Sequence, residues 1–219
     1  MSETANLSAS VQEYVKELFK LQADGRASTS ALAERMGVAP ASATAMLKKL
    51  AQLGLVDHEP YRGARLTATG ERAAIEMIRH HRLLEQYLAT TLRLPLEAVH
   101  AEADRLEHAL SEELEALIDE SLGFPTHDPH GDPIPSAALE LTRAEQRSLA
   151  DVEPGAAATV RRVPDSDRAL LHYLDELGLV PGERIEVTEA APFGGPVTVR
   201  ARGADHAISR ELADRIGVD

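Results

Sequence analysis

The chain has 219 residues, 43% hydrophobic and 27% charged, so it can bury a core, but it has only 3% aromatics and no cysteine. Disulfide scaffolds, thiolate zinc sites and cysteine nucleophiles are therefore excluded, since each needs a sulfur the chain lacks. No apolar run approaches the about 18 residues of a membrane span. The start, MSETANLSAS, lacks the basic and apolar regions of a signal peptide, so a cytoplasmic protein without a membrane partner is expected. The formal net charge is −13, unevenly spread: residues 1–70 carry 8 basic and 7 acidic groups, and the rest carry 15 and 29. A near-neutral first segment can approach a polyanion, whereas the acidic remainder favours cations as partners.

In chain order, Val11, Tyr14, Val15, Leu18, Phe19 and Leu21 recur at helical spacing and predict a helix over residues 8–23, stopping at Asp24-Gly25. Ser28-Thr29-Ser30 then offers a hydroxyl cap to a short helix, ALAERMG, which Gly37 ends. Pro40 suits the first turn of the next helix, which runs through Leu53, turns Ala43, Met46, Leu47 and Leu50 inward and closes at Gly54. Two strands, at Leu55-Val56 and near Thr67, flank the turn EPYRGAR, where Tyr61 is expected to pack the wing. Helix, short helix, turn, helix and hairpin predict a winged helix-turn-helix over residues 1–70.

A second block, 71–140, reads as three helices: residues 70–92, 96–109 and a third capped by Ser111. Leu83, Leu84, Leu88, Leu106, Leu110, Leu114, Leu117 and Ile118 exceed what a small hairpin buries against itself, so a helical homodimer interface is expected. The stretch FPTHDPHGDPIPS reads as an ordered turn or linker. In the third block, 141–219, β-type runs at 158–163, 184–189 and 197–202, a hairpin at Gly194-Gly195 and a helix over 167–177 fit a small SH3-like β-barrel. The expected fold is mainly α with small β parts.

The densest chemistry lies in the second block. His100, Asp104, Glu107 and His108 fall at i, i+4, i+7 and i+8 of one predicted helix and share a face. On the preceding helix His81 and Glu85 are again four apart, so two antiparallel helices could point six N or O ligands into one space. His80 points about 100° away from His81 and is expected at the surface. Carboxylates and imidazoles without sulfur suit Mn(II), with Fe(II), Co(II) or Zn(II) as the other candidates. No HExxH, GxSxG or P-loop occurs, so neither an enzyme nor a small-molecule substrate is expected.

The winged helix at 8–70, the pair His81/Glu85, the string VHAEADRLEH at 99–108, PHGDPIP at 129–135 and the final barrel together resemble the diphtheria-toxin-repressor family across nearly the whole chain. The resemblance implies a homodimeric regulator of metal-homeostasis genes whose DNA affinity rises on metal binding. By position it implies a primary centre of Glu13, which precedes Tyr14, with Asp104, Glu107 and His108. It implies an ancillary centre of His81, Glu85 and His100, completed by Asp165 or Asp167 from the barrel. Iron-sensing members carry Met and Cys where this chain has Glu13 and Asp104, which favours manganese. Two-domain manganese sensors carry a further acid where this chain has Lys16, which argues against a bridged dinuclear centre.

For DNA, Pro40, Ser42, Thr44 and Lys48 lie on the exposed side of the second helix of the motif, which enters the major groove. Ser42 and Thr44 are expected at base edges, and Thr29, Lys48, Lys49, Arg62 and Arg65 at phosphates of an interrupted palindromic operator. Two alternatives remain: the same regulator responding to iron, and a metal-buffering protein whose helix-turn-helix merely packs.

Overall fold

A computed structural model describes residues 7–22, 25–59, 62–142, 147–165 and 167–219. Tyr61 and the expected end of the first helix at 23–24 lie outside these residues. Two compact units emerge, Met1–His81 with Leu106–Ile118 and Pro135–Leu141, and Arg82–Arg105 with Asp119–Ile134 and Thr142–Asp219.

The first unit opens with α1 (Ala9–Leu21), α2 (Thr29–Arg35), α3 (Pro40–Gln52) and the hairpin β1 (Val56–Glu59) and β2 (Gly63–Leu66). Ser28 Oγ accepts from Ala31 N at 3.0 Å and caps α2, and Pro40 stands in the first turn of α3, where no intrahelical N–H bond is lost. The hairpin is antiparallel, from Val56 opposite Leu66 to Glu59 opposite Gly63. Val11, Tyr14, Val15 and Leu18 of α1 join Leu32, Leu47, Leu50, Leu55, Val56 and Leu66 in one buried core. Each such aliphatic side chain contributes about 1.5–3 kcal/mol by leaving water. Glu17 adds a polar tie, accepting from Lys20 Nζ at 2.8 Å and Arg35 Nε at 2.5 Å.

Next come α4 (Ala68–Thr90), α5 (Leu96–Leu106) and α6 (Glu112–Ser121). Gly70 in the first turn of α4 packs so closely that a Cβ there would lie 2.0 Å from the Leu55 carbonyl oxygen. The helix expected to continue to 109 ends at Leu106 instead, and Glu107–Ala109 tighten into a 3-10 turn. The regular 100° step of an α-helix therefore holds through Leu106, and Glu107 and His108 stand on the tighter turn. The expected apolar stripe is split: Leu83, Leu84, Leu88 and Ile118 are buried, while Leu106, Leu114 and Leu117 are 44%, 49% and 57% exposed.

In the second unit, β3 (Arg147–Ser148), β4 (Ala157–Arg162), β5 (Arg184–Ala190), β6 (Val197–Ala201), β7 (Ala204–Ile208) and β8 (Gly217–Val218) form an antiparallel sheet in the order β3-β8-β4-β5-β6-β7. With α7 (Arg168–Leu177) and α8 (Arg210–Asp214), it encloses Val160, Leu171, Leu174, Ile185, Val187, Val199 and Ile216. The chain is thus mainly helical with a small antiparallel β domain at its end. The 126–134 stretch is an ordered turn: Asp128 Oδ1 accepts from His130 N and Asp132 N, each at 2.9 Å, and Val163 N donates to the His130 carbonyl at 2.9 Å. Among the described residues no helix is long and apolar enough to cross a membrane.

Candidate metal centres and nucleic-acid face

In the first unit, Glu13 on α1 and Glu107 and His108 on the 3-10 turn bring one donor atom each to within 4.8 Å of the others. His108 Nε2 stands 3.9 Å from Glu13 Oε2 and 3.8 Å from Glu107 Oε1. Its other nitrogen, Nδ1, donates to Gln12 Oε1 at 2.7 Å, which leaves the Nε2 lone pair directed at the two carboxylates. Glu107 is fully buried, and its second oxygen accepts from His81 Nδ1 at 2.7 Å. Lys16 Nζ donates to Glu107 Oε1 at 2.6 Å and lies 3.0 Å from Glu13 Oε2. Burial pushes the Glu107 carboxyl up, but the hydrogen bonds and charges of His81 and Lys16 outweigh it and hold the group below the ordinary carboxylate range. Two hard oxygens and one imidazole nitrogen fit a divalent cation of the Mn(II) class.

Asp104, assigned by resemblance beside Glu107 and His108, belongs to the second unit, its Oδ2 3.6 Å from His100 Nε2. Glu85 and His100 meet as expected, His100 Nδ1 lying 3.0 Å from Glu85 Oε1.

Glu85 also faces two residues the sequence reading missed, Asp128 and His130, and the three bring donor atoms within 4.8 Å of one another, all buried. His130 Nε2 lies 3.4 Å from the Leu96 carbonyl, leaving Nδ1 3.6 Å from Glu85 Oε2. Asp128 Oδ2 and His130 Nδ1 have no hydrogen-bond partner among the described residues, and Arg82 Nε stands 3.6 Å from Asp128 Oδ2 as an ion pair. Burial and the charges of Glu85 and Asp132 push the Asp128 carboxyl up to about 7, against the opposing charges of His130 and Arg82. Burial lowers His130, yet Glu85, Asp128 and Asp165 together raise it. Of the two barrel candidates, Asp165 therefore acts electrostatically on this cluster, while Asp167 caps α7, accepting from Ala169 N at 2.9 Å and Leu170 N at 3.2 Å. The signal in the sequence was DPHGD itself, but a turn has no helical period to place its side chains on one face.

His80, expected at the surface, is 3% exposed. It lies where α4 meets α6: His80 Nε2 sits 2.9 Å from Glu115 Oε2, and Arg79 Nε donates to Glu115 Oε1 at 2.5 Å. Burial raises the Glu115 carboxyl, but the His80 and Arg79 hydrogen bonds and charges lower it further, so its net position is below the ordinary range. A depressed folded-state pKa contributes stability that is complete above the unfolded value, about 4.3, and is lost as pH falls through the folded one. Glu115→Gln should lower stability at pH 7 by about 1–3 kcal/mol and flatten the loss between pH 5 and pH 3, as read by chemical denaturation.

On the nucleic-acid side, Ala43, Leu47 and Leu50 turn α3 inward, which leaves Pro40, Ser42, Lys48 and Lys49 exposed and Thr44 half-buried. Thr44 Oγ1 donates to the Pro40 carbonyl at 2.8 Å, so its methyl is the freer end for a base contact. Thr29 is half-buried in the first turn of α2, and Arg62 and Arg65 are exposed on the hairpin. Arg62 Nη1 is 3.5 Å from Glu59 Oε2, a solvated pair that a phosphate can replace. Arg26, which donates to Glu59 Oε1 at 2.6 Å, adds a cation beside the hairpin that the sequence reading missed.

The comparisons with known proteins agree along the chain. Residues 6–64 match the iron dependent repressor N-terminal DNA binding domain, 67–136 its metal binding and dimerisation domain, and 147–219 the FeoA domain. The chain is 31% identical over 220 residues to the iron-dependent repressor IdeR of Mycobacterium tuberculosis (strain ATCC 25618 / H37Rv), covering 94% of this chain and 95% of that one. It is 29% identical to IdeR of Mycobacterium leprae (strain TN), with the same coverage. Among solved structures, a manganese-dependent transcriptional repressor in complex with manganese is similar at 39% identity and TM-score 0.84, covering 95% of this chain and 98% of that one. ScaR with bound Zn2+ is similar at 28% identity and TM-score 0.79, with the same coverage. A winged helix, a dimerisation domain and an FeoA domain in this order, with full-length similarity to IdeR, place the chain in the iron-dependent repressor family of metal-dependent transcription regulators.

Proposed function

We propose that the protein is a manganese-responsive repressor that binds an interrupted palindromic operator as a homodimer. The observation that carries this reading is the convergence of Glu13 Oε2, Glu107 Oε1 and His108 Nε2, two hard oxygens and one nitrogen with no sulfur among them. Hard donors tolerate Mn(II), the weakest binder of the divalent series, whereas thiolate or thioether ligands favour the later metals. The relatives named for iron leave an iron response as the second reading, and operator binding titrated with Mn(II) against Fe(II) decides between them.

Glu13, Glu107 and His108 would hold the ion, which supplies two positive charges at the side of α1. Held together, these residues fix α1 against the Glu107 turn, and α1 packs through Val11, Val15 and Leu18 into the core that seats α3. The three ligands thereby favour the arrangement in which α3 enters a major groove. Moving such an equilibrium from mostly incompetent to mostly competent takes about 5.5 kcal/mol of differential affinity. We assign DNA binding to residues 1–70, metal binding and dimerisation to 71–140, with Leu106, Leu114 and Leu117 offered to a partner, and the barrel to 141–219. Glu85, Asp128 and His130, with His100 and Asp165 beside them, would form a second metal station that stabilises the barrel-bearing part. Ser42 and Thr44 read bases, and Thr29, Lys48, Lys49, Arg62 and Arg65 hold phosphates.

A mobility-shift assay on the DNA upstream of the protein's own gene, with and without Mn(II), tests this. A shift that needs the metal and weakens steeply with salt is the expected result. Saturable metal uptake without any DNA binding would instead identify a metal buffer.

A further inference from the structure

We infer that Lys16 is a built-in counter-cation of the first-unit centre, and that a divalent ion enters only by displacing its ammonium group, an exchange that sets the metal concentration at which the protein responds. This inference rests on the reading that Glu13, Glu107 and His108 hold the metal. The side chain of Lys16 is 4% exposed, and its Nζ bonds Glu107 Oε1 at 2.6 Å and reaches Glu13 Oε2 at 3.0 Å. These are the same two oxygens that His108 Nε2 faces at 3.8 and 3.9 Å. Glu107 has no other oxygen to offer freely, because Oε2 already accepts from His81 Nδ1 at 2.7 Å. The position where three donors converge is therefore the position whose oxygens the ammonium already uses.

Charge sharpens the conflict. Two carboxylates and one ammonium leave a single negative charge at the centre. With the ammonium removed, two negative charges face the incoming ion. A doubly charged cation a few ångströms from a buried ammonium is repelled far more strongly than in water, since the surroundings screen poorly. In the metal-free protein Lys16 conversely bridges α1 to the 107–109 turn, so the centre stays assembled and does not have to collapse around the ion. Lys16 thus weakens binding while keeping the site in shape.

The test is Mn(II) binding to wild type and Lys16→Met, followed by the electron-paramagnetic-resonance signal of the free aquo ion, with thermal unfolding of each metal-free protein. Methionine keeps the stem of the side chain without its charge. The inference predicts that Lys16→Met binds Mn(II) about tenfold or more tightly and unfolds at a lower temperature without metal. Equal or weaker binding by a folded variant overturns the exchange while leaving the metal centre standing. If the wild type itself takes up no Mn(II), the reading of the centre and the inference fall together. Wild-type protein provides a measurement that does not depend on the variant folding: nitrogen-15 NMR of the lysine ammonium groups, titrated with diamagnetic Zn(II). A slowly exchanging Lys16 ammonium signal that disappears at saturation supports displacement, and one that persists unchanged overturns it.

Discussion

His108→Ala is expected to abolish the metal dependence of DNA binding and to leave the protein folded. The imidazole is the one nitrogen donor of the first-unit trio, and Gln12 orients it by accepting from Nδ1 at 2.7 Å. Its removal leaves two carboxylates already engaged with Lys16, so Mn(II) affinity should fall by about 100-fold or more. Gln12→Ala, which frees the ring without deleting it, should cost about tenfold. The side chain of His108 is 25% exposed, so the stability cost should stay at about 1 kcal/mol. Circular dichroism and gel filtration verify fold and dimer, and fluorescence anisotropy of labelled operator against free Mn(II) reads the response. A variant with the wild-type metal response would remove His108 from the centre.

The largest stability loss is expected at Gly131. Its φ is +92°, and a Cβ built there would lie 1.8 Å from the Arg161 carbonyl oxygen and 2.9 Å from the Arg162 Cα. Both obstacles are backbone of β4, held at its own register against β5 and β8, so neither can swing aside. Gly131→Ala should therefore combine left-handed strain with a backbone clash, about 3–5 kcal/mol in all. Because Asp128 Oδ1 and the Val163–His130 bond organise the same turn, the alanine should also scatter Asp128 and His130 and weaken metal uptake at the Glu85 cluster. Gly155 is the control: its φ is +86° with nothing within 4 Å of a Cβ, so alanine there should cost only about 1 kcal/mol. Equal unfolding midpoints for the two variants would contradict the close-approach argument.

Local periodicity made the helix-turn-helix legible, because Ser28, Pro40, Gly37 and Gly54 punctuate short amphipathic helices at positions that caps and turns require. The strands with alternating valines, such as Val197–Ala201, were equally plain. β7 and α8 were not, since Ala204–Ile208 and Arg210–Asp214 are short and carry little apolar pattern. The candidate metal residues divide the same way. Glu107, His108, His81, Glu85 and His100 stood out as His and carboxylate at helical spacing, but the change from α-helix to 3-10 turn at Glu107 depends on tertiary packing. Asp128 and His130 lay in a turn, where spacing says nothing about direction. His80 was expected outside because Glu115, which its Nε2 faces at 2.9 Å, is distant in sequence.

DNA affinity as a function of free metal concentration, measured anaerobically with Mn(II) and Fe(II) on the same operator fragment, tests the central claim most directly. A manganese switch must offset through site geometry the higher intrinsic affinity of Fe(II), so the account predicts that operator binding appears at a free Mn(II) concentration no higher than the free Fe(II) concentration that achieves it, and that chelation of either metal releases the DNA. Tight operator binding without metal, or a response to Fe(II) at a clearly lower free concentration than to Mn(II), would contradict the assignment of this centre as a manganese switch.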